Sequence, residues 1–347
     1  MRLARNPSNN AVCDWSPELA QHELSPDEAR AYLMSIRSTA RAFSGPPPTD
    51  PDVDGIMFHT SAQGIGDAVT CLYAACGLAN AGYRVTYYTK HTDWLVKASH
   101  PGVDIKPLPL YSDAMGSNCN LDYPAELTAA YEGRLKWRSQ WKLDNIVKTY
   151  KELRPVTPAS PQAIAEPGVP LIEYPYVALA PYSMHAIREW HAAHWARLAL
   201  MLKEHGLRTV VLSPKDKEAE ASAFFVNSKV MAPSIPEALN LIGNAMVLAG
   251  NDSGPAHISA LLRKKTICIQ SQTTAEHVFS PGRVTGMYPS EKENCRFCYW
   301  QAAGGIIPAC TSMCSAMATI STHDVMESVL LELGKTGTIA APRKRRS

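Results

Sequence analysis

Ala245-Met246-Val247-Leu248-Ala249, then Gly250-Asn251-Asp252-Ser253-Gly254-Pro255-Ala256-His257 and an apolar run to Leu262, is the stretch on which the fold turns. Five apolar residues read as a strand ending at Ala249, the small polar residues as a tight turn, and the rest as a helix. A strand that feeds a helix through such a turn directs backbone amides and the positive helix end toward one point, where an anion such as phosphate is stabilised. Gly254 permits close approach to the backbone, Ser253 offers a hydroxyl, and His257 sits one turn inside the helix. An alternative reading is purely structural, with Asp252 as the N-cap of an ordinary α/β helix.

The same alternation extends outward. Tyr176 to Ala180 and Arg208 to Leu212 read as strands, followed by helices near His194 to His205 and Asp216 to Phe225, and Thr266 to Ile269 is a further strand. Upstream, Gly55 to His59 is a strand, Thr60 to Gly66 a loop, Asp67 to Ala81 a helix closed by Gly82, and Tyr83 to Tyr88 the next strand, which makes a parallel βαβ unit. Five prolines between Pro155 and Pro170 mark a connection between two such halves. Arg134, Lys136, Trp137, Arg138 and Trp141 lie on one further helix, read either as a solvated helix with two buried tryptophans or as an acceptor-binding face. Before the first half, Ser25-Pro26-Asp27-Glu28 starts a helix over Ala29 to Phe43, and Gly45 to Pro51 is a stiff linker. The expected organisation is an N-terminal extension with its linker (1–54), a first Rossmann-like domain (55–160), a second (171–334) and a basic tail (335–347).

With 347 residues the chain has room for two α/β domains. Lys plus Arg number 34 against 32 Asp plus Glu, so no overall field favours an acidic polymer. Neither a signal-peptide stretch nor a spanning run of apolar residues is present, and the expectation is a soluble cytoplasmic protein. The GxxxxGK[ST] loop of nucleoside triphosphatases is missing, and Gln63-Gly64-Ile65-Gly66 is not a G-x-G-x-x-G dinucleotide fingerprint.

Cys295-x2-Cys298 and Cys310-x3-Cys314 form two short-spaced pairs joined by a loop with Gly304 and Gly305. Four thiolates so spaced suit a structural zinc or a lone iron, with reduced packed cysteines or a disulfide as alternatives. Cys13, Cys71, Cys76, Cys119 and Cys268 read as core or incidental residues.

Four stretches together resemble glycosyltransferase family 9, the group of ADP-heptose:lipopolysaccharide heptosyltransferases, over about residues 55 to 333. They are Gly64-Ile65-Gly66-Asp67; Ala180-Pro181-Tyr182-Ser183 with Arg188-Glu189-Trp190; Gly250 to Leu261; and Gln272-Thr273-Thr274-Ala275-Glu276. The resemblance implies a GT-B fold: two facing, doubly wound Rossmann-like α/β domains, the sugar nucleotide held by the second and the acceptor by the first. It implies an inverting transfer with Asp67 as general base, with a helix cap beside Gly66 as the alternative reading of Asp67. Ser183, Arg188, Asp252, Ser253, Gly254 and His257 become donor contacts, with Arg188 the cation for the leaving diphosphate where the family often has lysine. Thr273, Thr274 and Glu276 become nucleotide or sugar contacts, or else a capping box. Cysteines recur in this part of the family, and some protein-modifying members carry iron there, which supports a structural metal at Cys295, Cys298, Cys310 and Cys314 and no catalytic cofactor. The expected partners are an ADP-heptose-like donor and an acceptor hydroxyl on lipopolysaccharide core, another bacterial or phage glycan, or a protein. Two other readings stay open: glycosylation of modified bases in DNA, suggested by the Arg343 to Arg346 tail, and an inactive GT-B binding protein with a metal-stabilised surface.

Overall fold

The structure, a computed structural model, describes residues 3–5, 12–14, 55–60, 64–108, 117–118, 138–149, 153, 156–164, 166–280, 282–290 and 314–335. Leu3–Arg5 (β1) and Val12–Asp14 (β2) pair as an antiparallel hairpin. The helix expected over 29–43, the proline linker and the basic tail lie outside the described residues.

The first parallel sheet contains Ile56–His59 (β3), Val85–Thr89 (β4), Val103–Pro107 (β6) and Ser117–Asn118 (β7), in the order β6-β4-β3-β7. Ala98–Ser99 (β5) pairs instead with Ala163–Ile164 (β8), antiparallel. Helix α1 (Ile65–Asn80) follows β3, α2 (Thr92–Leu95) follows β4, and α3 (Arg138–Thr149) packs on α1. Helix α1 begins two residues before the expected Asp67, which therefore lies in the first turn and not at the cap; the N-cap residue is Gly64. Beyond the helix Gly82 has φ +92°, a conformation that glycine takes without steric cost.

The second sheet has six parallel strands: Val177–Ala180 (β9), Thr209–Leu212 (β10), Lys229–Met231 (β11), Val247–Asn251 (β12), Thr266–Ile269 (β13) and Val284–Met287 (β14). Its order, β11-β10-β9-β12-β13-β14, reverses direction between β9 and β12. In open α/β sheets a crevice forms at that reversal, outside the C-terminal ends of the strands, and ligands bind there. Helices α4 (Ala192–Glu204), α5 (Glu218–Phe224), α6 (Ile235–Asn244), α7 (Gly254–Leu261), α8 (Ala275–Val278) and α9 (Thr322–Lys335) complete this half.

Alternation along these buried strands feeds two layers. Val177, Leu179, Val247, Ala249, Ile267 and Ile269 join Trp190, Trp195, Met326 and Val329 on one face. Ala178, Ala180, Leu248 and Cys268 face the other layer, which is continuous with the core around β3 and α1. Two features went beyond the sequence reading. The β11–α6 unit has only a three-residue strand, although Ser234 and Glu237 form a full capping box with Pro236 in the first turn. Strand β12 also runs two residues past Ala249, so Gly250 and Asn251 are paired with Cys268 and Ile269 and the turn starts at Asp252. Among the described residues no helix is long and apolar enough to cross a membrane.

Candidate active site

Asn251 closes β12 with a fully buried amide that bridges two backbone groups of the β9–α4 loop. Its Nδ2 donates to Pro181 O (2.5 Å) and its Oδ1 accepts from Trp190 N (3.1 Å). That clamp holds residues 181–190, and with them Ser183 and Arg188, against the end of β12. The Gln272 side chain donates to Ile187 O (3.3 Å) and supports the same loop from β13.

Asp252 is nearly inaccessible and faces Arg188 Nη1 at 3.8 Å and His257 Nε2 at 3.8 Å, while the Thr273 hydroxyl donates to its Oδ2 at 3.4 Å. Burial alone pushes its carboxyl up, but Arg188, His257, Arg138 and the Thr273 bond outweigh it, and the net shift is downward. His257 is itself lowered to about 4, chiefly by burial, so at neutral pH its approach to Asp252 is that of a neutral ring. The capping role considered for Asp252 is not what the structure has: Ser253 is the N-cap residue of α7, without a side-chain cap bond, and its hydroxyl donates to Asn251 O (3.3 Å). Pro255 has no amide proton and Ala256 N donates to Ser253 O, so the amides of Ser253 and Gly254 are what this helix end can offer an anion.

The two halves meet through two glycines. A Cβ on Gly66 would lie 2.6 Å from His257 Nε2, and one on Gly254 would lie 3.0 Å from Ile65 Cδ1. The space that Gly254 leaves free, expected to admit a ligand, is filled by Ile65. The starts of α1 and α7 thus pack against each other, and both line a cavity of about 920 Å³.

Gly66, Asp67, Ser183, Arg188, Asp252, Ser253, Gly254 and His257 all line that cavity. Thr273, Thr274 and Glu276 do not. Thr273 is buried behind Asp252, Thr274 caps α8 by accepting from His277 N (3.3 Å), and exposed Glu276 accepts from Tyr288 OH (3.2 Å). The strand-end position brought Thr273 near the site, while α8 turned the next residues away.

Helix α3 supplies two cations: Arg138, which the sequence placed on a helix mixing aromatic and basic residues, and Lys142, which it did not single out. Arg138 is buried and lines the cavity. Lys142 has no exposed surface, and its Nζ lies 3.2 Å from Asp67 Oδ1. The reading of α3 as solvated fails on this face. The available signal was the spacing: Arg138 and Lys142 are one turn apart, on a helix whose Leu143 and Ile146 are also buried. Arg134, Lys136 and Trp137 lie outside the described residues, and Trp141 is buried as expected. Burial pushes the Asp67 carboxyl up, but Lys142 and then Arg138 hold it below the usual range.

Residues 121–297 match the sequence family described as glycosyltransferase family 9 (heptosyltransferase). The chain belongs to glycosyltransferase family 9. No curated protein sequence matches it. Among solved structures, this family 9 chain is similar to the ADP-heptose lipopolysaccharide heptosyltransferase II of E. coli, with TM-score 0.56 and 12% identity over 81% of this chain and 99% of that one. It is similar to the iron-containing dodecameric glycosyltransferase TibC of enterotoxigenic E. coli, with TM-score 0.57 and 14% identity over 82% and 77%. The E. coli heptosyltransferase WaaC, solved with ADP, aligns at TM-score 0.54 and 12% identity over 80% and 99%. At such identities the likeness is one of fold, and the fold is the GT-B-like α/β fold with parallel sheets.

Of the four cysteines expected to hold a metal, Cys295, Cys298 and Cys310 lie outside the described residues. Cys314 is buried, and Ser271 Oγ, just past β13, lies 3.5 Å from its sulfur. Cys71, Cys76 and Cys268 are buried free thiols in the core, and burial pushes Cys76 up to about 12 and Cys268 well above the ordinary thiol value.

Proposed function

We propose that this glycosyltransferase moves a heptose or hexose, with inversion, from a nucleoside-diphosphate sugar to an acceptor hydroxyl. The observation that carries the reading is one cavity with Asp67 on the first half and Arg188, Asp252, Ser253 and Gly254 on the second. Residues 171–334 bind the donor in this scheme and residues 55–160 the acceptor.

Arg188 and the Ser253 and Gly254 amides stabilise the diphosphate as negative charge develops on it. Asp252, buried and matched to Arg188, orients that guanidinium. The acceptor oxygen attacks the anomeric carbon opposite the diphosphate, and the bond from that carbon to the phosphate oxygen breaks with its electron pair leaving on the nucleotide. The acceptor proton passes to Asp67, which is ionised at neutral pH and so able to receive it.

ADP-heptose is the leading donor candidate, since TibC has been solved with ADP-D-β-D-heptose and WaaC with ADP. The acceptor in this reading is lipopolysaccharide core or another bacterial or phage glycan or protein. A zinc or iron at Cys295, Cys298, Cys310 and Cys314 is proposed as a structural staple, by analogy with the iron-containing TibC. Buried Cys314 beside the Ser271 hydroxyl is compatible with a ligand position, and no catalytic step uses the metal.

The test is release of nucleoside diphosphate from ADP-heptose and from UDP-glucose, with and without candidate acceptors, alongside Asp67→Asn. Binding of neither donor would remove the reading. Binding without turnover would favour the inactive binding protein, and normal turnover by Asp67→Asn would remove Asp67 as the base.

A further inference from the structure

The chemistry above leaves Lys142 without a role, although its position is costly. An ammonium taken entirely out of water is strongly destabilising unless it is closely matched. Here it is fully buried on α3, among Leu143 and Ile146 of the core, with Nζ 3.2 Å from Asp67 Oδ1. The other carboxylate oxygen, Oδ2, lies on the side of Gly64, a cavity-lining residue, and a Cβ at Gly64 would come within 3.1 Å of it. One oxygen of this cavity-lining residue is therefore held by Lys142, and the other lies beside Gly64, where a side chain would crowd it.

We propose that Lys142 is the positioning residue for the Asp67 base: its buried ammonium fixes Oδ1 and so aims Oδ2 at the acceptor hydroxyl. The inference rests on the reading of Asp67 as general base. The charged and titratable groups that face Asp67 are Lys142 and Arg138 from α3 and His257 from α7. Arg138 lines the cavity, whereas Lys142 is not among the residues that do, so a ligand can engage the former and leaves the Lys142 pair intact. Lys142 also keeps the carboxylate ionised against the burial that would otherwise protonate it, at some cost in basicity.

Carbon-13 NMR of protein labelled at aspartate carboxyls tests this directly, with the Asp67 resonance identified by its loss in Asp67→Asn. In the wild type Asp67 should titrate below the ordinary value of about 3.9, and in Lys142→Met about one unit or more higher, with Lys142→Arg close to the wild type. The acidic limb of ADP release from ADP-D-β-D-heptose should move with it, while ADP affinity stays within about twofold. An Asp67 titration unmoved in folded Lys142→Met overturns the proposal. If that variant does not fold, Lys142→Met combined with Asp67→Asn decides. A folded, ADP-binding double variant means that the charge the lysine offsets is that of Asp67; an unfolded one makes it a structural residue and overturns the proposal. Wild-type turnover in Asp67→Asn would instead sink the base assignment, whereas an inactive Asp67→Asn with an unmoved Lys142→Met titration sinks only the role of Lys142.

Discussion

Replacing Gly66 by alanine sets two effects of opposite sign against each other. Gly66 is the second residue of α1, and alanine in place of glycine within a helix is worth about 0.5–1 kcal/mol in favour of folding. Against this, the new Cβ would sit 2.6 Å from Nε2, 2.7 Å from Cδ2 and 3.1 Å from Cε1 of His257. Ordinary carbon contacts lie at about 3.5–4 Å, so the ring must give by roughly 1 Å. His257 has little room to retreat, being buried, 4.7 Å from the Phe279 ring centre and 3.8 Å from Asp252. Overpacking of this kind costs about 1–3 kcal/mol, so the net expectation is a loss of about 1–2 kcal/mol. Displacement of His257 and Asp252 should weaken ADP binding as well. Gly334→Ala in α9 is the control: a Cβ there meets nothing within 4 Å, so the variant should gain up to about 1 kcal/mol. Urea unfolding followed by tryptophan fluorescence, with calorimetric titration of ADP, reads both effects. Equal or greater stability of Gly66→Ala, with ADP affinity unchanged, would refute the close packing of the two halves at this point.

Three other outcomes are expected. Asp67→Asn should retain ADP binding and lose turnover by at least about 100-fold, measured as nucleotide release at saturating donor. Asn251→Ala removes the partner of both Pro181 O and Trp190 N, and each buried group left unsatisfied costs about 1–3 kcal/mol. Its urea midpoint should fall, and its ADP affinity should fall too because Arg188 loses its support; a drop in stability with full ADP affinity would contradict the clamp. His257, lowered to about 4 from 6.5, binds its proton less readily folded than unfolded, so it contributes stability at neutral pH that is lost as pH falls through that window. The loss by pH 4 is on the order of 3 kcal/mol, and urea midpoints across pH 4–7 should be flatter in His257→Gln than in the wild type. His100 and His194, also lowered by burial, contribute in the same direction in both proteins, while Asp67 and Asp252 lose their contribution only below the ordinary carboxylate range.

Much of the second half was legible because its strands are buried on both faces and read as continuous apolar runs between turn residues. The β11–α6 unit was missed for the opposite reason: Lys229–Met231 is short and only partly buried, leaving little apolar pattern to read. Asp67 and Asp252 were visible as polar residues close after strands, which is a local property, and Arg188 through the family resemblance. Lys142 was not, because a lysine in a mixed helix carries no mark of burial until α3 is packed on α1.

By itself the sequence determined the parallel α/β alternation and the strand–turn–helix at residues 245–262, which follow from periodicity and turn chemistry within a few neighbouring residues; the family was legible in four short stretches taken together. Tertiary structure alone decided what the motif residues do to one another. It made Asn251 a clamp and Asp252 the partner of Arg188, gave the space at Gly254 to Ile65, and set a buried lysine behind Asp67. These roles depend on distances between groups far apart in the chain, and burial, which sets the strength of every charge here, exists only once the two sheets have come together.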